Sequence, residues 1–384
     1  MGMIHIKNCK AVLENGILWD AEIVTDGDRI VYVGRAGELR PQMKSEIVDA
    51  QGAYVGPGFV DIHTHGGGGY SFDAHPYEAA EHFLKNGETT IVAALYYNLT
   101  REEYIAAIER IREAMGRGGA GEALAGIYME GPYMNPKYGA SANNDFWDGE
   151  IRECDYAAVA DCAGELATVW AVAPERDGID EFMAYVSKVN PGTVFAVGHC
   201  EANEKQIRRV KKYGIRLHTH CMNATGSVSD MGGVRGNGPD EACMADSEVY
   251  AELISDSCAI HVKAENQRFI VKVKGVDKVV LISDSTHTDV KPPEKYANIE
   301  DLNYEESGGL SGSRLTLNLA CRNIMTHTSC GIVQAFLMAS RNPARAIGMG
   351  DEIGTIEVGK RANLVFTDDM FNVKRVMLKG RFVR

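Results

Sequence analysis

The residues best equipped for chemistry are histidines and carboxylates that each follow a short apolar run: His63-Thr64-His65, Glu130, His199, His218-Thr219-His220 and Asp284. Neutral imidazole nitrogen and carboxylate oxygen suit zinc or iron, and no thiolate is required. Residues i and i+2 of a strand point to the same side, so His63 and His65 can reach one ion together. A lone His-x-His is weak evidence. This one follows Pro57-Gly58-Phe59-Val60-Asp61, at the end of a strand pattern, and gains weight from that placement. A metal polarises an amide carbonyl and lowers the pKa of water bound to it. Asp284 could take the water's proton and return it to the leaving amine, as amide cleavage requires.

For these side chains to meet, the chain must bring many strand ends to one face. Eight apolar strand candidates are visible: Gly58–Ile62, Thr89–Leu95, Leu124–Met129, Thr168–Val172, Thr193–Val197, Ile215–Thr219, Tyr250–Ile254 and Lys278–Ile282. Helical patterns fall between most of them. In the clearest, Thr100 stands three residues before Glu103, the capping-box spacing, and Tyr104, Ile105, Ile108 and Ile111 repeat at helical period. Such alternation predicts an α/β fold, a TIM-like (β/α)8 barrel whose mouth collects the residues that follow the strands. An open doubly wound sheet would give the same alternation. Residues 1–55 and the far C-terminus both read as short strands, with Asn-Gly and Asp-Gly turns in the former. They predict a small discontinuous β-sandwich domain from 1–55 and 347–384, around a catalytic barrel over 56–346.

Composition narrows the partners. The 384 residues carry a formal charge of −13, from 40 basic and 53 acidic side chains. That balance argues against nucleic acid or an anionic membrane as the main partner, while leaving room for a local basic pocket. The nine cysteines are scattered, with no C-x-x-C, as reduced thiols are in cytosolic proteins. The N-terminus lacks a signal-like apolar stretch and no run approaches a membrane span, so the expected location is the cytoplasm. Asn98-Leu-Thr100 and Asn223-Ala-Thr225 match the glycosylation pattern by chance in such a protein.

Several segments together carry a family resemblance. PGFVDIHTHG looks like the opening signature of the amidohydrolase superfamily, and MEGPYMNP resembles the Glu-Gly-Pro motif of N-acetylglucosamine-6-phosphate deacetylases. VGHCEA, THCMNA and LISDST are similar to that family's Gly-His, Thr-His-x-x-Asn-Ala and barrel-ending Asp segments, and GLSGSRLTLNLACRN and NPARAIG…GTIEVGKRANLVF to its C-terminal half. The resemblance implies Glu130, His199 and His220 as the main metal ligands. His63 and His65 match members that hold a second metal, with Glu130 between the ions. It implies Asp284 as acid/base, Asn223, Ala224, Arg235 and His261 as substrate contacts, and a homodimer across which Arg235 acts. The implied reaction is deacetylation of an N-acetyl amino sugar, foremost N-acetylglucosamine-6-phosphate, with one or two divalent ions, zinc or iron.

The departures fall on substrate recognition. Tyr128 stands where the family usually has His, and Ser141 ends a stretch where the family has a substrate-contacting His. DSCAIH, before and including His261, is longer than the family's counterpart, and VRGNGPDEA around Arg235 aligns loosely. The competing readings are therefore another amide substrate (an N-acyl amino acid, a cyclic amide or a different N-acetyl hexosamine) and a non-catalytic scaffold, which should have lost ligands. His218 is expected to pack rather than ligate, since His220 fills that role. His75 and His82 read as helical surface or packing residues, and His5, His287 and His327 lack a supporting motif. Cys200 and Cys221 adjoin ligands without a positioned base, which argues against nucleophilic roles. Gly354-x-x-x-x-Gly359-Lys360 mimics a phosphate loop, but Arg361 replaces the required Ser/Thr. The Gly66–Gly69 run reads as a flexible loop, and Phe336 and Met338 as core.

Overall fold

The computed structural model describes residues 2–38, 45–140, 146–227, 232, 234 and 236–383. Eight parallel strands stand side by side in sequence order: β1 (Phe59–Thr64), β2 (Glu88–Tyr96), β3 (Leu124–Glu130), β4 (Ala167–Val172), β5 (Val194–Val197), β6 (Ile215–His218), β7 (Tyr250–Ile254) and β8 (Val279–Ile282). A helix follows each strand, from Pro76–Lys85 after β1 to Leu317–Thr328 after β8. The ring closes just beyond β1 and β8: the Asp284 amide donates to the His63 carbonyl at 2.9 Å, and the His65 amide to Ser285 at 2.7 Å. The nearly closed (β/α)8 barrel is the expected one, and the open sheet is excluded.

Burial on both faces explains why these strands are continuous apolar runs rather than alternating ones. Val280 and Ile282 of β8 share a buried cluster with Val92, Ala94, Tyr128, Val169 and Leu217 of other strands, inside the ring. Their neighbours Val279 and Leu281 pack outward with helical residues such as Phe83, Ile108 and Phe182. The period of two therefore sorts each strand into a lining face and a helix-facing face. The capping box forms as read: the Glu103 amide donates to Thr100 Oγ1 at 3.2 Å and the Thr100 amide to Glu103 at 2.8 Å.

The ends of the chain build a strand-rich domain. Tyr54–Pro57 pairs antiparallel with Leu364–Thr367, joining an N-terminal set that begins with Met3–Leu13 to C-terminal strands through Arg381–Phe382. The described strands form one hydrogen-bonded sheet, branched where Met3–Leu13 pairs with Ser45–Asp49 through its first half and with Tyr54–Pro57 through its second. It folds over its own core of Ile6, Ile23, Val55, Leu364 and Met377. One residue, Gly58, separates this sheet from β1, and Phe59 at the start of β1 stacks on Phe336 of the helix Ile332–Phe336 at 5.6 Å. Met338 is fully buried nearby, as expected of core. Among the described residues no helix is long and apolar enough to cross a membrane.

Candidate active site

Glu130 is the hub. It ends β3, two residues after the lining residue Tyr128, so its carboxylate rises into the mouth of the barrel. Four imidazoles surround it. His199 Nε2 lies 2.8 Å and His220 Nε2 3.2 Å from Glu130 Oε1, and the two nitrogens are 3.0 Å from each other. On the other flank His65 Nε2 is 3.1 Å from Oε2, and His63 Nε2 is 3.5 Å from Oε1. Asp284 Oδ1 stands 3.6 Å from His65 and 3.9 Å from His63. The six residues read as one site from their positions after strands do converge.

Three of them sit in a backbone conformation that side chains with a Cβ rarely adopt: φ is 43° at His199, 27° at His220 and 44° at Asp284. Such torsions persist only where the surroundings hold them, and they cluster at functional sites. At His220 the turn has a visible effect. His218, two residues earlier, is buried with Nε2 3.3 Å from Asp240 of the helix Pro239–Ala245, outside the ring. The kink after β6 sends His220 into the mouth instead. His218 therefore packs, as expected, and burial pushes its pKa down to about 4, keeping it neutral.

Electrostatics set the hub apart. Burial alone would push Glu130's carboxyl up, yet the imidazoles of His199 and His63, with hydrogen bonds from His199 and His220, hold it well below the usual carboxylate range. Burial works to lower His63, but Glu130 and Glu252 outweigh it and raise it well above the ordinary value. Two ligand sets of compatible spacing result, His63–His65–Glu130 and Glu130–His199–His220. Hydrogen bonding alone does not satisfy them: His63 Nε2, His65 Nε2 and Glu130 Oε2 are buried without a hydrogen-bonding partner of proper geometry. The facing nitrogens of His199 and His220 share a single carboxylate oxygen. Lone pairs aimed at common points fit divalent cations, and the absence of sulfur fits zinc and iron alike.

Sequence reading missed the residues behind these ligands. Glu252 Oε2 lies 3.0 Å from His63 Nδ1, and Tyr128 stacks on the His63 ring with centroids 4.1 Å apart. Tyr128 thus packs beneath His63, buried and not among the residues that line the cavity over the hub. Asp61 accepts the His63 amide at 3.2 Å, and burial pushes its carboxyl up to about 7. Tyr96 and Tyr97 close the side of the mouth: the Tyr96 hydroxyl donates to the Ala140 carbonyl at 2.6 Å, and Tyr97 sits edge-on to His199. A charged or hydroxyl-bearing residue inside an apolar strand was the available signal.

A cavity of about 600 Å³ opens over the hub. Its walls include the hub residues His65, Glu130, His199, His220 and Asp284, and also Asn223, Ala224 and His261. Asn223 Nδ2 donates to the His261 carbonyl at 3.2 Å, tying two of the expected substrate contacts together. In the longer DSCAIH segment Asp256 accepts the His261 amide at 2.9 Å and faces its Nδ1 at 3.1 Å, which fixes the ring against the cavity. Arg235 and Ser141 lie outside the described residues. His287 lines the cavity, exposed, whereas His5 contacts Glu22 in the terminal sheet and His327 faces the Asp256 carbonyl. Cys200 and Cys221 are buried, and burial pushes both thiols well above their usual range, so neither is a nucleophile.

Comparison with known proteins agrees with this geometry. The profile of the Amidohydrolase family matches residues 54–383. The chain is 29% identical over 343 residues to N-acetylgalactosamine-6-phosphate deacetylase of Escherichia coli O157:H7, covering 85% of this chain and 86% of that one. It is 26% identical over 397 residues to N-acetylglucosamine-6-phosphate deacetylase of Haemophilus influenzae, covering 98% of each. Among solved structures it resembles N-acetylglucosamine-6-phosphate deacetylase of Pasteurella multocida, with a TM-score of 0.85, 25% identity and 99% of both chains covered. It also resembles a mutant of the Mycobacterium smegmatis enzyme in complex with N-acetyl-D-glucosamine-6-phosphate, with a TM-score of 0.84, 25% identity and 100% and 99% of the two chains covered. With the barrel, the histidine-ringed carboxylate and the family profile over residues 54–383 in agreement, this protein belongs to the amidohydrolase family and is a hydrolase.

Proposed function

We propose that the chain removes the acetyl group from an N-acetyl hexosamine 6-phosphate, foremost N-acetylglucosamine-6-phosphate, giving the amino sugar phosphate and acetate. The observation that carries the reading is Glu130 ringed by His63, His65, His199 and His220, with Asp284 at 3.6 Å from His65 and all but the buried His63 lining one cavity. Those five ligands would hold one or two divalent ions, zinc or iron. When bound, such an ion acts as a Lewis acid toward an amide carbonyl and makes water acidic enough to attack near neutral pH.

The chain's own residues do the rest. Asp284 projects into the cavity from the end of β8 and holds the proton taken from water at a carboxylate oxygen. It then passes the proton to the departing sugar nitrogen, without which the amine is a poor leaving group. Asn223, Ala224 and His261 form the wall that orients the sugar. From the family resemblance we retain a homodimer in which Arg235 grips the phosphate, and from the nine scattered cysteines, without a C-x-x-C, the cytoplasm as the compartment.

A second reading concerns the sugar. The E. coli relative at 29% identity is named for the galactosamine epimer. N-acetylgalactosamine-6-phosphate differs at one ring hydroxyl and would meet the same hub. Amine release from the two 6-phosphates, beside unphosphorylated N-acetylglucosamine and with protein of known metal content, tests both. A strong preference for either phosphate supports the proposal and picks the epimer. No release from any of the three by fully metallated protein sinks it and leaves another amide as substrate.

A further inference from the structure

We infer that Glu252 is a positioning residue that fixes His63 as a metal ligand and sets how tightly the ion beside His63 and His65 is held. The inference rests on the metal reading of the hub and deepens it. Glu252 interrupts the apolar strand β7 and is fully buried inside the ring, where an ionised carboxylate is costly unless paired. Its pairing is specific. Oε2 lies 3.0 Å from Nδ1 of His63, accepts the backbone amide of His220 at 3.3 Å, and receives the Tyr128 hydroxyl at 3.5 Å.

These contacts determine the state of the imidazole. A proton held on Nδ1 by Glu252 leaves the lone pair on Nε2. Nε2 is the atom that faces Glu130 at 3.5 Å and Asp284 at 3.9 Å, and it has no hydrogen-bonding partner of its own. The Tyr128 ring, only 18° from parallel to the imidazole, fixes its plane. Plane and direction are thus set before an ion arrives.

The hub is also asymmetric. Behind His199 and His220 stand neutral backbone carbonyls, Tyr138 O at 3.3 Å and Asn223 O at 3.1 Å from the respective Nδ1 atoms. Behind His63 stands a carboxylate. A carboxylate partner makes an imidazole more basic and a better ligand than a carbonyl does, and losing such a partner typically weakens metal binding about 10–100-fold. Glu252 therefore supports the His63–His65–Glu130 position, while the Glu130–His199–His220 position relies on carbonyls.

The test reads metal binding, not turnover. Metal-stripped wild type and Glu252→Gln are titrated with zinc, and ions per chain and both affinities are measured. The wild type should hold two ions. The variant should bind one of them about 10–100-fold more weakly and the other as before. A Glu252→Asp variant should recover part of the loss, which a purely structural defect would not. Should the Gln variant fail to fold, NMR of zinc-loaded, 15N-labelled wild type serves instead. It should show a downfield imidazole Nδ1 proton on His63 with the metal on Nε2. Unchanged affinities, equal weakening of both ions, a single ion in the wild type, or zinc on Nδ1 of His63 would each overturn the assignment. Wild type that binds no zinc at all would instead overturn the metal reading itself.

Discussion

Two glutamates lie buried at opposite ends of the barrel and behave in opposite ways. Glu130 ends β3 at the mouth and Glu88 begins β2 at the floor, with 1% and 0% exposure. Glu88 has one partner: Oε1 accepts the Leu317 amide at 2.6 Å, at the start of the helix Leu317–Thr328. Its other oxygen is without a hydrogen bond, and burial pushes its carboxyl well above the usual range. Glu130, just as deep, is held well below that range by the imidazoles around it. Burial alone makes a carboxyl neutral and structural; converging cationic or metal-ligating donors make it ionised and available for chemistry. In this barrel the donors around Glu130 gather at the ends of the strands.

The comparison can be broken most severely at the mouth. Glu130→Gln should lose its bound metal, and turnover should fall to the level of metal-stripped protein; metal analysis with acetate release checks this. Asp284→Asn should keep its metal and lose about 10²- to 10⁴-fold in kcat, the usual contribution of a positioned acid/base. A variant that loses metal in step with rate would make Asp284 a ligand rather than a proton carrier.

At the floor the effect is on stability and its pH dependence. Because the folded pKa of Glu88 is raised, the folded state holds a proton that the unfolded chain releases. That contribution is fully present below the unfolded value of about 4.3 and is lost as pH rises through the folded one. Glu88→Gln keeps the acceptor for Leu317 and removes the titration. It should gain stability over wild type as pH rises above about 4.3, read from denaturant midpoints, with kcat unchanged. The smallest change is expected at a helix cap: Thr100→Ala removes the capping box of Arg101–Gly116 and should cost about 1 kcal/mol while leaving metal content alone.

Much of the mouth was legible because its residues follow strands, and strand positions carry a strong apolar signal. Thr89–Leu95 and Lys278–Ile282 were read within one residue of the observed Glu88–Tyr96 and Val279–Ile282. Glu252 was passed over because its one signal is faint. It is a single charge within a five-residue strand, and its partner His63 lies 189 residues away. Tyr128 was grouped with the departures on substrate recognition because nothing local distinguishes a side chain inside the ring from one in the cavity. The split between His218 and His220 was expected, but the φ of 27° at His220 that produces it is encoded in no side-chain pattern. The terminal strands were visible, but the branching of their sheet at Met3–Leu13 follows from pairings between distant segments.

The most direct test of the account is acetate release from N-acetylglucosamine-6-phosphate by metal-stripped protein, before and after zinc is restored. The account predicts release only after zinc, saturating at one or two ions per chain, and none from Glu130→Gln under either condition. Equal release with and without metal, or undiminished release from Glu130→Gln, would contradict it.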